Sequence, residues 1–274
     1  MKRAMAAQGR SRAGWMVAAA FAAVLAGGLA GCAAPQQGMT ADPTPASEEP
    51  DSRRRARIRL ELASSYYADG KTDVALDELR QVVATDPTFP DAYNLRGLIY
   101  MRRGDNREAE ESFRRALALN PRDPDTAHNY GWLLCQMQRY PQSVATFQQA
   151  LANPQYGDRA KTHMALGLCQ ARAGQLPEAE ANLVRSYELD PASPITGYNL
   201  SRLLYQRGDY QRAQFYIRRL NNSELANAET LWLGIRVENR MNDRAAMGQL
   251  SDVLRRRFPQ SPERALLDRR AFDE

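Results

Sequence analysis

The sequence predicts an all-α solenoid of about six helix–turn–helix units with no strand, and three observations carry that prediction. Gly70, Gly104, Gly174 and Gly208 lie 34, 70 and 34 residues apart, with Gln138 on the missing beat. Small residues follow five positions later at Ala75, Ala109, Ser143, Ala179 and Ala213. Pro87, Pro121 and Pro191 then close three of the units. A fixed period of this length belongs to repeats that cannot bury a core alone and must stack on their neighbours.

The chain opens with Lys2, Arg3, Arg10 and Arg12 and no acid, followed by an apolar stretch from Trp15 to Leu29. About fifteen residues is short of the roughly 20 that span a bilayer, and fits the apolar region of a secretory signal peptide over residues 1–31. It runs into Leu29-Ala30-Gly31-Cys32, which resembles the bacterial lipobox. That resemblance implies that Cys32 carries a diacylglyceryl group and starts the mature chain. Ala33, in place of the aspartate associated with inner-membrane retention, implies sorting to the outer membrane, with the chain facing the periplasm. The net charge of +5 then falls to +1, because the leader holds four basic residues and no acid. Nucleic-acid binding thereby loses its main support.

Residues 32–55 are expected to form a lipidated, disordered tether. Pro35, Pro43, Pro45 and Pro50 sit among Gln, Ala, Ser and Thr, a composition that cannot bury a core. About twenty such residues reach up to roughly 60 Å. Arg53, Arg54, Arg55, Arg57 and Arg59 follow, with two readings open: contact with anionic headgroups, or a solvated helix start.

The solenoid is placed at 56–265, with units beginning near Ala56, Pro90, Pro124, Ala160, Pro194 and Asn227, and a tail over 266–274. One unit shows the mechanics. Tyr93, Gly97 and Tyr100 form the inner stripe of a first helix. Gly97 and Ala109 lack bulk, so two antiparallel helices can approach closely. Gly104-Asp105-Asn106 makes the turn, Phe113, Ala116 and Leu117 give the second helix its apolar face, and Pro121 stops it. Small, aromatic and turn positions recurring together resemble the tetratricopeptide repeat. The third unit carries an insertion at Asn153-Pro154-Gln155, expected in a loop. In the sixth, Leu233-Gly234 holds the register while Met241 and Ala246 replace the turn and crossing residues imperfectly.

Cys135 and Cys169, 34 residues apart on first helices of adjacent units, leave two alternatives open: a disulfide, or two buried thiols acting as small hydrophobes. Little else carries chemistry. His163 is expected in the core and His128 in the groove; no metal-ligand spacing and no phosphate loop is present, so no enzyme activity, metal, cofactor or small-molecule substrate is expected. What remains is a concave surface. The repeat register places Asn94, Leu98, Met101 and Arg102 beside His128, Trp132 and Gln136, then Met164, Leu168 and Arg172, then Tyr198, Arg202 and Tyr205. Aromatic, methionine and arginine side chains suit protein binding; the alternative for Trp132 and Leu168 is core packing. The Lys/Asn clamp that holds terminal carboxylates in some tetratricopeptide proteins is missing, with Leu60 and Ser64 in two of its places.

Asn129-Tyr130-Gly131-Trp132-Leu133-Leu134-Cys135 resembles a segment of the type IV pilus biogenesis lipoproteins called PilF or PilW. So do Ala152–Tyr156, Thr230–Arg236 and Arg257–Glu263. The likeness covers about 56–265 plus the lipobox. It implies a pilotin, a lipoprotein of the outer membrane's inner leaflet that helps the PilQ-like secretin localise and form its multimeric ring, with other pilus proteins as further partners. The groove residues come from the repeat register and not from the resemblance. The alternative is a scaffold for another envelope machine, for β-barrel assembly or cell-wall hydrolase regulation.

Overall fold

A computed structural model describes residues 50–272. The leader, Cys32 and residues 33–49 of the expected tether lie outside the described residues, as do 273–274. The described residues belong to one compact unit and form thirteen α-helices, with no strand among them. Twelve pair as hairpins: α1 (Asp51–Ala68) with α2 (Thr72–Thr85), α3 (Pro90–Arg103) with α4 (Asn106–Leu119), and α5 (Pro124–Gln136) with α6 (Tyr140–Leu151). Then come α7 (Arg159–Arg172) with α8 (Leu176–Leu189), α9 (Pro194–Gln206) with α10 (Tyr210–Asn221), and α11 (Ala228–Arg240) with α12 (Arg244–Arg257). Helix α13 (Pro262–Asp268) packs on α11 and α12 at the end. Each hairpin packs on the next, as an all-α repeat solenoid requires.

Local chemistry sets the helix ends. Pro90, Pro124 and Pro194 occupy first-turn positions, where the missing N–H costs nothing. Asp123 accepts the backbone N–H of Asp125 and Thr126, each at 3.2 Å, and Asn227 with Thr230 forms a reciprocal cap. At the turns, Gly70, Gly104, Gly174 and Gly208 all take left-handed backbone, φ 77–81°. Gln138 holds the same conformation at φ 60° without glycine's freedom. Gln138→Gly is therefore expected to stabilise the fold by about 0.5–1 kcal/mol, a rise of a few degrees in Tm. An unchanged or lower Tm would show that the turn carries no strain.

The small residues act where helices cross. A Cβ on Gly97 would sit 2.6 Å from the Phe113 ring, and one on Gly131 would sit 2.9 Å from that of Phe147. In the fifth unit Ser201 takes the glycine's place and donates its hydroxyl to the Ala213 carbonyl at 2.9 Å, so the close approach is kept by a hydrogen bond.

The structure departs from the sequence reading at both ends. Helix α1 begins at Asp51, so residues 51–55 belong to the first helix and not to the tether. There Arg53 pairs with Asp86, hydrogen-bonds Thr88 Oγ1 at 3.1 Å and lies over the Phe89 ring; Arg59 pairs with Glu78 at 2.8 Å. Those two arginines of the basic cluster fasten α1 to the second hairpin's approach. At the other end, the expected tail is structured: Leu266 and Leu267 join a core with Leu231, Ile235 and Leu254, and Phe272 stacks on Trp232, centroids 5.7 Å apart. The left-handed turn of the sixth unit falls on Asn242, φ 59°, not Met241, which shifts that unit's register by one. Helix α11 consequently starts at Ala228. The insertion does form a loop, between α6 and α7, pinned by buried Tyr156 and by Arg159 donating to the Leu151 and Asn153 carbonyls at 2.7 and 3.1 Å.

Candidate protein-binding groove

The first helices of successive hairpins lie side by side, and the structure brings most of the register-selected residues together in cross-helix contacts. The Arg172 guanidinium on α7 stands 5.1 Å above Trp132 on α5. Arg236 on α11 stands 4.9 Å above Tyr205 on α9, and Arg202 lies 6.0 Å from the Tyr198 ring of its own helix. Arg102 on α3 lies 5.4 Å from Tyr67 on α1 and donates to its carbonyl at 3.2 Å. Asn129 donates to Asn94 Oδ1 at 3.1 Å, tying α5 to α3. Leu98, Met101, Trp132, Met164 and Leu168 are half-buried: each leans on the core and keeps an open side. Gln136 is exposed and touches none of these stations.

Near the C-terminal end the surface deepens into a hollow of about 310 Å³, lined by Tyr198, Arg202, Tyr205, Gln206, Trp232 and Arg236, with Glu229 and Glu263 at its edge. Burial raises the Tyr198 phenol's pKa, with Glu229 adding to the shift, so the ring stays a neutral hydrogen-bonding group. Trp232, Arg236 and Glu263 were not predicted for this site. Their placement depends on the shifted sixth register and on α13, neither of which the 34-residue period encodes. The aromatic segment Thr230–Arg236 was the available signal.

His128 is a correction. It is 7% exposed and faces α7, not the groove, with its ring edge-on to Phe147 at 5.7 Å and Nδ1 2.7 Å from Thr162 Oγ1. Hydrogen bonds continue from Thr162 to Tyr156 at 3.3 Å and from Tyr156 to Asp125. Because Thr162 donates onward, its oxygen accepts from Nδ1–H, which selects the neutral tautomer protonated there. Burial, reinforced by Lys161, pushes the His128 pKa down to about 4. His163 is half-buried and hydrogen-bonds Asn182 Oδ1 at 2.9 Å, which ties α7 to α8. Cys135 and Cys169 meet sulfur to sulfur across α5 and α7, their Cα atoms 5.8 Å apart, directly behind Trp132. No group of three or more His, Cys, Asp or Glu among the described residues is arranged to hold a metal, and no helix among them is long and apolar enough to cross a membrane.

Away from the groove, arginines are matched with carboxylates. Arg139 grips Glu110 with contacts of 2.8 Å, Arg207 and Arg212 share Glu180, and Arg218 holds the fully buried Glu238 at 2.7 and 2.9 Å. The arginines and the tyrosine that hold Glu110 keep its carboxyl below the usual range against the cost of burial.

Two tetratricopeptide-repeat family models match residues 60–124 and 100–167. The type IV pilus assembly protein PilF of Pseudomonas aeruginosa is 28% identical over 249 residues, covering 90% of this chain and 96% of that relative. PilW, described as a widely conserved type IV pilus biogenesis factor, has a crystal structure that matches with TM-score 0.71 and 30% identity, over 78% of this chain and 99% of its own. The chain belongs to the PilF/PilW family of tetratricopeptide-repeat proteins. The solved structure of Pseudomonas aeruginosa PilF matches equally well within that family, with TM-score 0.71 and 26% identity over 80% of this chain and 99% of that one. Because both PilF/PilW structures are covered almost end to end, the likeness extends through the degenerate sixth hairpin.

Proposed function

We propose that this chain is an outer-membrane lipoprotein, anchored through Cys32, that binds the secretin of a type IV pilus through its groove and promotes secretin multimer assembly. The observation that carries this reading is similarity over nearly the full length of both chains to a protein named for type IV pilus assembly. A role in pilus biogenesis follows from that likeness, and a binding scaffold without catalysis follows from the repeat fold. The lipobox at the end of an apolar leader supports the anchor. The groove's half-buried aromatics support recognition of an extended protein segment, and an anchor with a flexible tether raises the local concentration of that segment near the membrane.

The deciding experiment is an immunoblot for heat- and detergent-resistant secretin multimers in outer-membrane fractions of wild-type, deletion and Cys32→Ala strains, with expression of the variant verified. Monomeric secretin in the deletion strain is the expected result, and normal multimers there would overturn the reading. Trp132→Ala with Tyr205→Ala separates the groove from the anchor: retained multimers in that strain would remove the groove from the mechanism.

In an oxidising compartment the Cys135–Cys169 pair is expected to be a disulfide. Protein unfolded without reductant should then show no reactive thiol from this pair, and two after reduction. Two free groups before reduction would leave the cysteines as packed hydrophobes.

A further inference from the structure

We propose that the groove's occupant is an acidic, extended peptide segment whose carboxylates meet the four guanidiniums Arg102, Arg172, Arg202 and Arg236. This rests on the protein-binding reading of the groove and narrows it to a ligand chemistry. The observation behind it is a contrast within one molecule. Arg139, Arg207, Arg212 and Arg218 are each neutralised by a carboxylate of the fold. The four groove arginines have no ion-pair partner among the described residues, and each instead rests against an aromatic ring.

Stacking leaves the edges of a guanidinium free while fixing its plane. Arg102, Arg202 and Arg236 each spend a donor on a neutral acceptor: the Tyr67 carbonyl at 3.2 Å, Asn199 Oδ1 at 3.2 Å and the Phe272 carbonyl at 3.0 Å. Arg172 has no hydrogen-bond acceptor among the described residues and is exposed. The remaining N–H groups form planar forks that match a carboxylate's two oxygens. Because the rings hold the side chains in place before a ligand arrives, less rotamer freedom is lost on binding.

Geometry favours an extended chain. Neighbouring helices pack about 8–10 Å apart, and an extended strand rises about 3.3 Å per residue. One hairpin therefore corresponds to about three residues of ligand, so acids near every third position reach successive stations while the side chains between them meet the half-buried Leu98, Trp132 and Leu168. A dense anionic membrane surface fits less well, because Glu229 and Glu263 edge the C-terminal hollow and would repel it.

The test uses the full-length protein and a fluorescent peptide of about twelve residues, long enough to cross about four hairpins, with Glu at every third position between Thr and Val. Gln-for-Glu and Lys-for-Glu versions serve as comparisons. The Glu peptide is expected to bind about tenfold or more tightly than the Gln peptide, and to weaken as salt is raised towards about 1 M, where screening shortens to about 3 Å. Arg172→Gln and Arg202→Gln should each cost about tenfold, whereas Arg207→Gln, away from the groove, should cost nothing. All three positions are exposed, and thermal melts verify folding. Absent binding, equal binding of the Glu and Gln peptides, or Arg172-dependent binding only to phosphatidylglycerol vesicles would overturn the inference. Its failure is distinguishable from that of the functional reading. If Trp132→Ala with Tyr205→Ala abolishes secretin multimers while Arg172→Gln with Arg202→Gln leaves them intact, the groove stands and the acidic ligand does not.

Discussion

Gly97→Val is expected to destabilise the protein by about 3 kcal/mol, lowering Tm by roughly 6–12 °C for a domain of this size. The cause is specific. Even the first added carbon would sit 2.6–2.8 Å from three atoms of the Phe113 ring, inside any real contact distance. Phe113 is fully buried among Ala109 and Leu133, so it has nowhere to retreat, and α3 must move away from α4. Gly104→Ala supplies the contrast. That turn glycine has nothing within 4 Å of its missing Cβ, and only its φ of 81° resists a side chain, so the expected cost is about 1 kcal/mol. Phe113→Leu, destabilising by itself, makes room for the valine. The double variant should therefore recover at least about 1 kcal/mol relative to the sum of the single changes. Strict additivity, or equal costs at Gly97 and Gly104, would show that the crossing is not what the glycine serves.

This pair of glycines also shows what the sequence reveals and what it hides. Turn and crossing residues recur every 34 positions because each hairpin solves the same packing problem, so the hairpins, their count and their first-helix faces could be read without coordinates. The arginine and aromatic residues at groove positions were legible for the same reason. What the period does not encode is how a residue's neighbours in the adjacent unit differ from the repeat's average. His128 occupies a groove position by number, yet Thr162, Phe147 and the insertion anchored by Tyr156 draw it inward. The last unit slips by one residue because α13 and Phe272 cover it in place of a seventh hairpin, and that is where Trp232 and Arg236 enter the site. Legibility therefore fails at the insertion and at the end of the stack, the two places where translation symmetry is broken.

The inward turn of His128 leads to a pH dependence of stability. Burial, then Lys161, lowers the ring's pKa from 6.5 to about 4 in the folded chain, because a charged imidazolium would lose its water while packed against Phe147. The unfolded chain takes up the proton near pH 6.5 and the folded chain resists it until about pH 4. The stabilisation from neutral His128 is thus complete above pH 6.5 and is lost as pH falls to about 4, a change on the order of 3 kcal/mol. Buried Asp91 and Asp125 have raised pKa values and act in the opposite sense, gaining stability as acid protonates them; Glu110 and Asp86, held low by their arginines and hydrogen bonds, lose it at lower pH. These carboxylates are common to wild type and a His128→Gln variant, so the difference between the two titrations isolates the ring. Urea midpoints measured from pH 7.5 to pH 4 should fall more steeply for wild type, with the curves converging towards acid. Parallel curves would mean that water reaches the ring. The affected contact joins α5 to α7, which carry Trp132 and Arg172, so acid that loosens it should also loosen the arginine–tryptophan station of the groove.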